Sequence, residues 1–260
     1  MPARRLPNSM PSVLRTLKTA RDLWKNTPAA ADRAITADQW AKLDDANPAS
    51  FLNRLLKEAS DVDLAQAAQA PLTTQLSQTA ARLTMFCSHF HQVLDLGIAR
   101  ATFAGGARSY YGRDVTAAAI PDLTTYDTVA EAAEGIVTGE AARQTAEGAG
   151  YIPMALPSAA EVAPLRMAFR AARSQQQQAV AQTDREREEL STLYPAAQAL
   201  AADLCDTVEF YYRKDPDAAS RRARAQRWGV VYFYENEPAV NDGSTGANIT
   251  GTAVPTARAS

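Results

Sequence analysis

The chain has 260 residues, 46% of them hydrophobic, so it can bury one large core or two small ones. Its 29 acidic and 27 basic residues give a formal net charge of −2, which argues against a general nucleic-acid-binding protein, since such domains carry a basic surplus. No stretch approaches the roughly 20 apolar residues of a membrane span, and Arg15, Lys18 and Arg21 interrupt the N-terminal stretch where a Sec signal is apolar. We expect no membrane insertion and a protein that is cytoplasmic or exported without a cleaved signal.

The first half of the chain shows helical patterns in an overall composition rich in Ala, Leu, Gln, Glu and Arg, which predicts an all-α fold built as an antiparallel bundle of long helices. The first predicted helix covers residues 12–26. Residues 36–39 form a capping box that opens a short second helix. Asn47 and Pro48 start a further short helix. The longest pattern runs over residues 72–103, with apolar residues every three or four positions.

The second half begins with a predicted helix over residues 124–146, and a capping box at 158–161 then opens a pattern that reaches about Arg213. Pro195 lies inside this pattern. Because proline removes a backbone hydrogen bond, we expect a turn there that divides the pattern into helices 159–191 and 195–213. A last short helix is predicted over 217–227.

One stretch, WGVVYFYE at residues 228–235, has the β-branched and aromatic composition of a strand. Its backbone groups need partners, and we expect them from residues 151–154, from the loop around Val115, or from the polar tail 236–260. That tail has too few large apolar groups to form a core of its own. The predicted organisation is an N-terminal arm 1–11, a helical bundle domain 12–227, and a C-terminal strand and tail 228–260.

Several stretches carry a resemblance to a known family: SHFHQVLDLGIARATFAGGARSYYGRD, TGEAARQTAEG with MALPSAAEV, and VEFYYRKDPDAASRRARAQRWGVVY. They resemble a family of bacterial helical proteins found mainly in Bacteroidota and related phyla. The similarity covers most of residues 10–235. It implies an all-helical bundle with a recurring Trp-Gly-aliphatic ending, and it transfers no catalytic residue because the family has no assigned activity.

A metal site is one hypothesis for the bundle core. Cys87 and His91 are four residues apart and share a helix face, and Cys205 and Glu209 repeat that spacing on another long helix. If the two faces met, these four side chains would form a tetrahedral zinc site. The alternative, which the neighbouring Phe86 and Phe90 favour, is that the thiols are simply buried and the histidines hydrogen-bonded.

A basic cluster surrounds the last predicted helix: Arg213, Lys214, Arg221, Arg222, Arg224 and Arg227. It can serve nucleic acid, a protein partner, or no specific ligand. The acidic surplus elsewhere disfavours nucleic acid, whereas an acidic surface such as DREREEL at residues 184–190 would complement it. The predicted interface comprises Arg221, Arg222, Arg224, Arg227, Trp228, Val230, Tyr232 and Tyr234.

No sequence motif of catalysis or nucleotide binding is present: GxSxG, Walker and GxGxxG patterns are missing, and the two histidines do not fit a di-iron site. We therefore expect a protein that is not an enzyme and needs no cofactor. The leading hypothesis is a structural subunit that assembles with copies of itself, as an oligomer or filament, through residues 1–11 and 236–260. The alternatives are a metal or small-molecule carrier in the bundle core and an adaptor that binds a protein partner through the basic cluster.

Overall fold

The computed structural model describes residues 3–29, 32–116 and 119–233. Its helices are α1 (Met10–Lys25), α2 (Ala37–Leu43), α3 (Phe51–Ala99), α4 (Tyr126–Glu147), α5 (Ala159–Tyr212) and α6 (Ala218–Arg227), and its strands are β1 (Ala3–Arg5) and β2 (Val231–Phe233). Short 3-10 helices cover Gly105–Tyr111 and Gly148–Gly150. The predicted helical fold with a short C-terminal strand is confirmed. None of the described helices has the length and apolar character that crossing a membrane requires.

The predicted capping boxes start two of these helices. At α2, Thr36 Oγ1 accepts from the Gln39 backbone at 3.2 Å, and the Gln39 side chain accepts from the Thr36 backbone at 3.0 Å. At α5, the backbone of Ser158 donates to Glu161 Oε2 at 2.7 Å. These bonds satisfy N–H groups that have no partner inside the helix, so the two start points are set by local sequence.

Both long helices are continuous where the sequence predicts breaks. α3 runs through Pro71, so the two helices predicted over this region are one. α5 runs through Pro195, so the predicted turn is wrong. Tyr194 packs against the same hydrophobic core that buries Ala197, so packing on both sides of Pro195 favours the helix against the roughly 3 kcal/mol that an interior proline costs.

The described residues form two compact units. The terminal unit takes its residues from Met1–Ser60 and Glu189–Ser260, and the central unit from Asp61–Glu188. The predicted bundle domain 12–227 is therefore divided between two units. The core of the terminal unit includes Val13, Leu17, Leu52, Leu55, Leu204, Val208, Trp228 and Val230. The core of the central unit includes Leu83, Phe90, Leu94, Val129, Ile136 and Phe169.

The predicted strand has a partner that the sequence did not indicate. β1 pairs with β2 in an antiparallel ladder that sets Ala3 opposite Phe233 and Arg5 opposite Val231. The expected partners, residues 151–154 and the Val115 loop, do not pair with it, and the tail 236–260 lies outside the described residues. The N-terminal arm thus pairs with its own chain through β1, and its assembly with a neighbouring subunit stays a prediction.

Candidate functional site

A cleft of about 880 Å³ lies in the terminal unit, where α5 ends and α6 follows. Its lining combines aromatic, basic and acidic side chains from two distant parts of the chain: Leu23, Asn26, Thr27, Pro28, Asp32, Tyr211, Tyr212, Lys214, Asp215, Arg224, Arg227 and Trp228. A water molecule occupies about 30 Å³ in the liquid. The cleft is therefore large enough for several side chains of a ligand.

The Trp-Gly pair that follows α6 fixes one part of the cleft. Trp228 is only 2% exposed, and its Nε1 donates to the Tyr212 hydroxyl at 3.1 Å. Gly229 has φ +93°, and a Cβ there would lie 3.1 Å from the Thr16 backbone. A glycine is needed because the backbone is left-handed and lies against α1. This geometry explains why Trp228 is followed by Gly229.

The segment after α1 forms the opposite wall of the cleft, and stacked side chains stabilise its position. The guanidinium of Arg33 lies 4.5 Å from the Trp24 ring centroid, and Trp24 stacks on Trp40 at 5.3 Å. Arg33 Nε also donates to the Thr27 carbonyl at 3.0 Å. A cation over an aromatic face contributes roughly 0.5–1 kcal/mol to stability at an exposed site. The contact between Arg33 and Trp24 therefore helps to fix the segment that forms this wall.

Basic side chains outnumber acidic ones in the lining. Lys214 and Arg227 are exposed and have no ion-pair or hydrogen-bond partner among the residues that the structure describes. Arg224 lies 3.7 Å from Asp215, and its side chain is 57% exposed. The cleft thus presents positive charge that no described residue neutralises.

Asp215 is already engaged by the protein. Its carboxylate accepts from the Ser220 hydroxyl at 3.0 Å and from the Asp217 backbone at 3.1 Å. The Asp215 carbonyl accepts from Arg221 at 2.9 Å. These bonds hold the turn between α5 and α6 and leave Asp32 as the acidic lining residue that is exposed. Tyr211 is 40% exposed, and burial, with Tyr212 and Asp32, raises its pKa.

The predicted interface residues lie in several different environments. Arg224 and Arg227 line the cleft, Arg221 binds the α5–α6 turn, and Arg222 is half-buried. Trp228 and Val230 are each 2% exposed in the core of the terminal unit, so their side chains do not face a neighbour. Tyr232 donates to Glu209 at 2.7 Å. Tyr234 lies outside the described residues.

The predicted zinc ligands are divided between the two units. Cys87 and His91 lie in the central unit, whereas Cys205 and Glu209 lie in the terminal unit. Glu209 instead accepts from Arg4 at 2.9 Å. Burial raises the pKa of Cys87 to about 12. Burial is also the main reason why the pKa of Cys205 is raised to about 11. Both thiols are therefore protonated at neutral pH.

His91 is buried, and neither of its ring nitrogens has a hydrogen-bond partner among the described residues. Burial, together with the positive charge of Arg113, lowers its pKa to about 4. Arg113 binds Asp95 through two bonds of 3.0 and 2.9 Å, and Arg108 binds the same carboxylate at 2.8 Å. Burial opposes ionisation of Asp95, but these bonds hold its pKa below the ordinary value. His91 is therefore a neutral side chain of the core.

A second polar network, which the sequence did not indicate, lies inside the central unit. Arg143 is 0% exposed and donates to Glu140 at 3.0 Å, to the Tyr111 hydroxyl at 2.9 Å and to Glu147 at 3.1 Å. Glu140 also accepts from Tyr111 and, at 2.6 Å, from Tyr151. Burial opposes ionisation of Glu140, yet these bonds lower its pKa. Because its charges are paired internally, the network is structural and offers no open position to a ligand.

Comparison with known proteins finds no matching family model, no similar curated protein and no similar solved structure. The resemblance to a bacterial helical family therefore stays a prediction. What the chain does has to be inferred from the shape and charge of the cleft.

Proposed function

We propose that the protein is a non-enzymatic binding protein that holds an acidic segment of a protein partner in the cleft of the terminal unit. One observation carries this proposal: Lys214 and Arg227, which have no partner among the described residues, line the same cleft as the exposed Tyr211. Clusters of basic side chains are a recurrent means of recognising acidic motifs in proteins. This is the hypothesis, raised by the basic cluster in the sequence, of an adaptor that binds a protein partner.

The exposure of the cleft favours a protein segment over a small anion. Small-molecule sites enclose most of their ligand, whereas Lys214, Arg224 and Arg227 are all exposed. Basic groups arranged along an open surface suit a ligand that presents several carboxylates and remains partly in solvent. Such an association should weaken as salt rises, because screening acts most strongly on exposed charges.

A binding titration tests the proposal. A fluorescein-labelled peptide of alternating Glu and Gly is titrated with the full chain at low salt, and fluorescence polarisation gives Kd. We expect Lys214→Gln combined with Arg227→Gln to weaken binding about tenfold or more, which corresponds to about 1.4 kcal/mol. The same peptide with Lys in place of Glu should not bind.

The matched control removes one lysine and one arginine elsewhere. Lys18 in α1 and Arg100, just after α3, are both exposed and do not line the cleft. Lys18→Gln combined with Arg100→Gln should leave Kd within about twofold of the original chain. Equal losses in the two double variants would mean that overall charge, not the cleft, attracts the peptide, and the proposal would then be rejected.

The second candidate function is the self-assembling structural subunit, and the terminal sheet favours it. Val231 and Phe233 are 37% and 44% exposed, and Leu6 beside β1 is 46% exposed. Within the described residues the sheet has two strands, so each strand has one edge without a strand partner. Open edges accept an added strand from another chain through main-chain hydrogen bonds.

A truncation tests this second candidate. We expect deletion of residues 237–260 to leave the far-UV circular dichroism of the helices intact and to lower the mass that light scattering measures after size exclusion. Deletion of this segment removes no residue of the cleft, so the two candidates can be tested separately. A truncated chain that assembles like the full chain would reject assembly through the C-terminal segment.

A further inference from the structure

We infer that the acidic segment held in the cleft carries an aromatic side chain, which packs against the ring of Tyr211. The inference rests on the proposed function, because it concerns the same cleft, and it adds what the partner must contain besides negative charge. Tyr211 is then the residue that determines specificity, whereas Lys214 and Arg227 attract any acidic segment.

The basic side chains of the cleft do not by themselves distinguish one acidic segment from another. Lys214, Arg224 and Arg227 are exposed, and ion pairs between exposed side chains contribute little to affinity because solvent screens them. In protein interfaces a few anchors, often aromatic, contribute most of the binding energy, and they fill pockets of the partner. A specific ligand of this cleft therefore needs an anchor as well as carboxylates.

The cleft has an uncharged part that can hold such an anchor. Leu23 and Pro28 line it on one side, near the end of α1. Tyr211 and Tyr212 line it from the end of α5. Sites that bind ligands are lined mainly by apolar and aromatic side chains, with a few polar groups that fix orientation. The lining thus offers a place for one uncharged side chain beside the basic groups.

Tyr211 is the aromatic lining residue that solvent reaches. It is 40% exposed, whereas Trp228 is 2% exposed and Tyr212 is half-buried. The Tyr211 ring meets the Tyr212 ring edge to face, with the centroids 4.9 Å apart and the planes at 88°. This contact limits the orientations of the Tyr211 ring, so less side-chain entropy is lost when a further ring packs on it.

The charges around Tyr211 favour a neutral ring over a charged side chain. Burial, followed by Tyr212 and Asp32, raises the pKa of Tyr211, so the Asp32 carboxylate lies near this ring and repels a carboxylate of the ligand. Lys214 and Arg227 repel a basic side chain of the ligand. A neutral aromatic side chain avoids both repulsions, and pairs of aromatic rings contribute to binding beyond the area that they bury.

The test uses three labelled peptides that differ at one position. The first is the Glu-Gly peptide, the second has Phe in place of its central Gly, and the third has Leu there. Fluorescence polarisation with the full chain at low salt gives Kd for each peptide. We expect the Phe peptide to bind about three- to tenfold more tightly than the Glu-Gly peptide, the range that one aromatic pair contributes, and the Leu peptide to lie between them.

Substitutions at Tyr211 test whether this ring makes the contact. Tyr211→Leu keeps an apolar side chain without a ring. It should remove the advantage of the Phe peptide over the Leu peptide and leave Kd of the Glu-Gly peptide within about twofold. Tyr211→Phe keeps the ring and should keep the advantage.

Phe210→Leu is the matched control. Phe210 precedes Tyr211 in α5 and is 63% exposed, but it is not among the described residues that line the cleft. Successive residues of a helix point in directions about 100° apart, so its ring lies on another face. Phe210→Leu should therefore leave the Kd values of all three peptides unchanged.

The outcomes separate this inference from the proposed function. The inference is overturned if Leu gives the same gain as Phe, if Tyr211→Leu keeps the advantage of the Phe peptide, or if Phe210→Leu loses it as well. Weaker binding of the Glu-Gly peptide to Tyr211→Leu would also overturn it, because Tyr211 would then support the cleft as a whole. Equal Kd values for the three peptides, with binding still lost in the Lys214→Gln, Arg227→Gln variant, would overturn the inference and leave the proposed function standing. Absence of binding by all three peptides would overturn both.

Discussion

Arg143 carries its charge in a place closed to solvent, and all three of its guanidinium nitrogens have partners. Nε donates to Tyr111, one terminal nitrogen to Glu147, and the other to Glu140 and to the Ile152 carbonyl at 2.7 Å. The aromatic rings of Phe103 and Tyr151 lie 4.9 and 4.8 Å from the guanidinium carbon. At the scale of residues this is a buried charge with a partner for every nitrogen, so its removal should have a large effect.

We predict that Arg143→Leu lowers the free energy of unfolding by about 3–5 kcal/mol, because it leaves the buried carboxylate of Glu140 without its cation. Arg173 is the control, since its partner Asp127, at 2.7 Å, has a side chain that is 73% exposed, so solvent screens this ion pair. Arg173→Leu should cost less than about 1 kcal/mol. Urea unfolding followed by circular dichroism measures both. Similar losses in the two variants would show that the Arg143 network does not stabilise the central unit.

His91 should make stability depend on pH. Its pKa is about 4 in the folded chain against an ordinary 6.5, so between these values the unfolded chain binds a proton that the folded chain does not. The free energy of unfolding should therefore be highest above pH 6.5. It should fall by up to about 3 kcal/mol as the pH drops from 6.5 toward 4. His91→Leu should remove this dependence, and His89→Leu, at an exposed position, should retain it. Urea unfolding at pH 7 and 4.5 measures the difference; an unchanged pH slope in His91→Leu would contradict the assignment.

At the scale of elements, the continuity of α5 gives a prediction about Pro195, which is exposed within the helix. In an uninterrupted helix a proline removes one backbone hydrogen bond and strains the preceding turn. We therefore expect Pro195→Ala to stabilise the protein by about 1–3 kcal/mol, seen as a higher urea midpoint. If a turn divided α5 instead, proline would suit the first position of the second helix, and the substitution would be neutral or destabilising.

The sequence predicts those elements whose causes are local. The capping boxes at Thr36 and Ser158 set two helix starts because their partners lie three residues away. β1 could not be predicted, because Ala-Arg-Arg has no strand composition and its pairing depends on contacts far along the chain. Arg4, for example, binds Asp206 and Glu209, which are 202 and 205 residues away.

The candidate site also has a part that the sequence predicts and a part that it does not. Lys214, Arg224 and Arg227 are close in sequence, so the amino-acid sequence alone reveals their cluster. The opposite wall comes from the segment after α1, and packing alone brings it to α6. The Arg143 network cannot be recognised in this way, because an arginine three residues after a glutamate looks the same in a buried helix as in an exposed one.

At the scale of the whole molecule, the two ends of the described chain belong to one unit. The terminal unit joins β1, α1, α6 and β2 with parts of α3 and α5, and the cleft lies within it. The central claim is that the charge of this cleft selects an acidic ligand. Charge is the property to vary, because the shape of the cleft rests on other residues, among them Trp228 and Arg33.

Charge reversal tests this claim most directly. Lys214→Glu combined with Arg227→Glu is compared with the original chain, and each is titrated with the labelled Glu-Gly peptide and with its Lys-Gly counterpart at one ionic strength. We predict that the original chain binds the Glu-Gly peptide more tightly and that the reversed variant binds the Lys-Gly peptide more tightly, each preference amounting to about tenfold or more. If the reversed variant keeps the preference of the original chain, or if neither protein distinguishes the two peptides, the cleft is not the site at which an acidic segment binds.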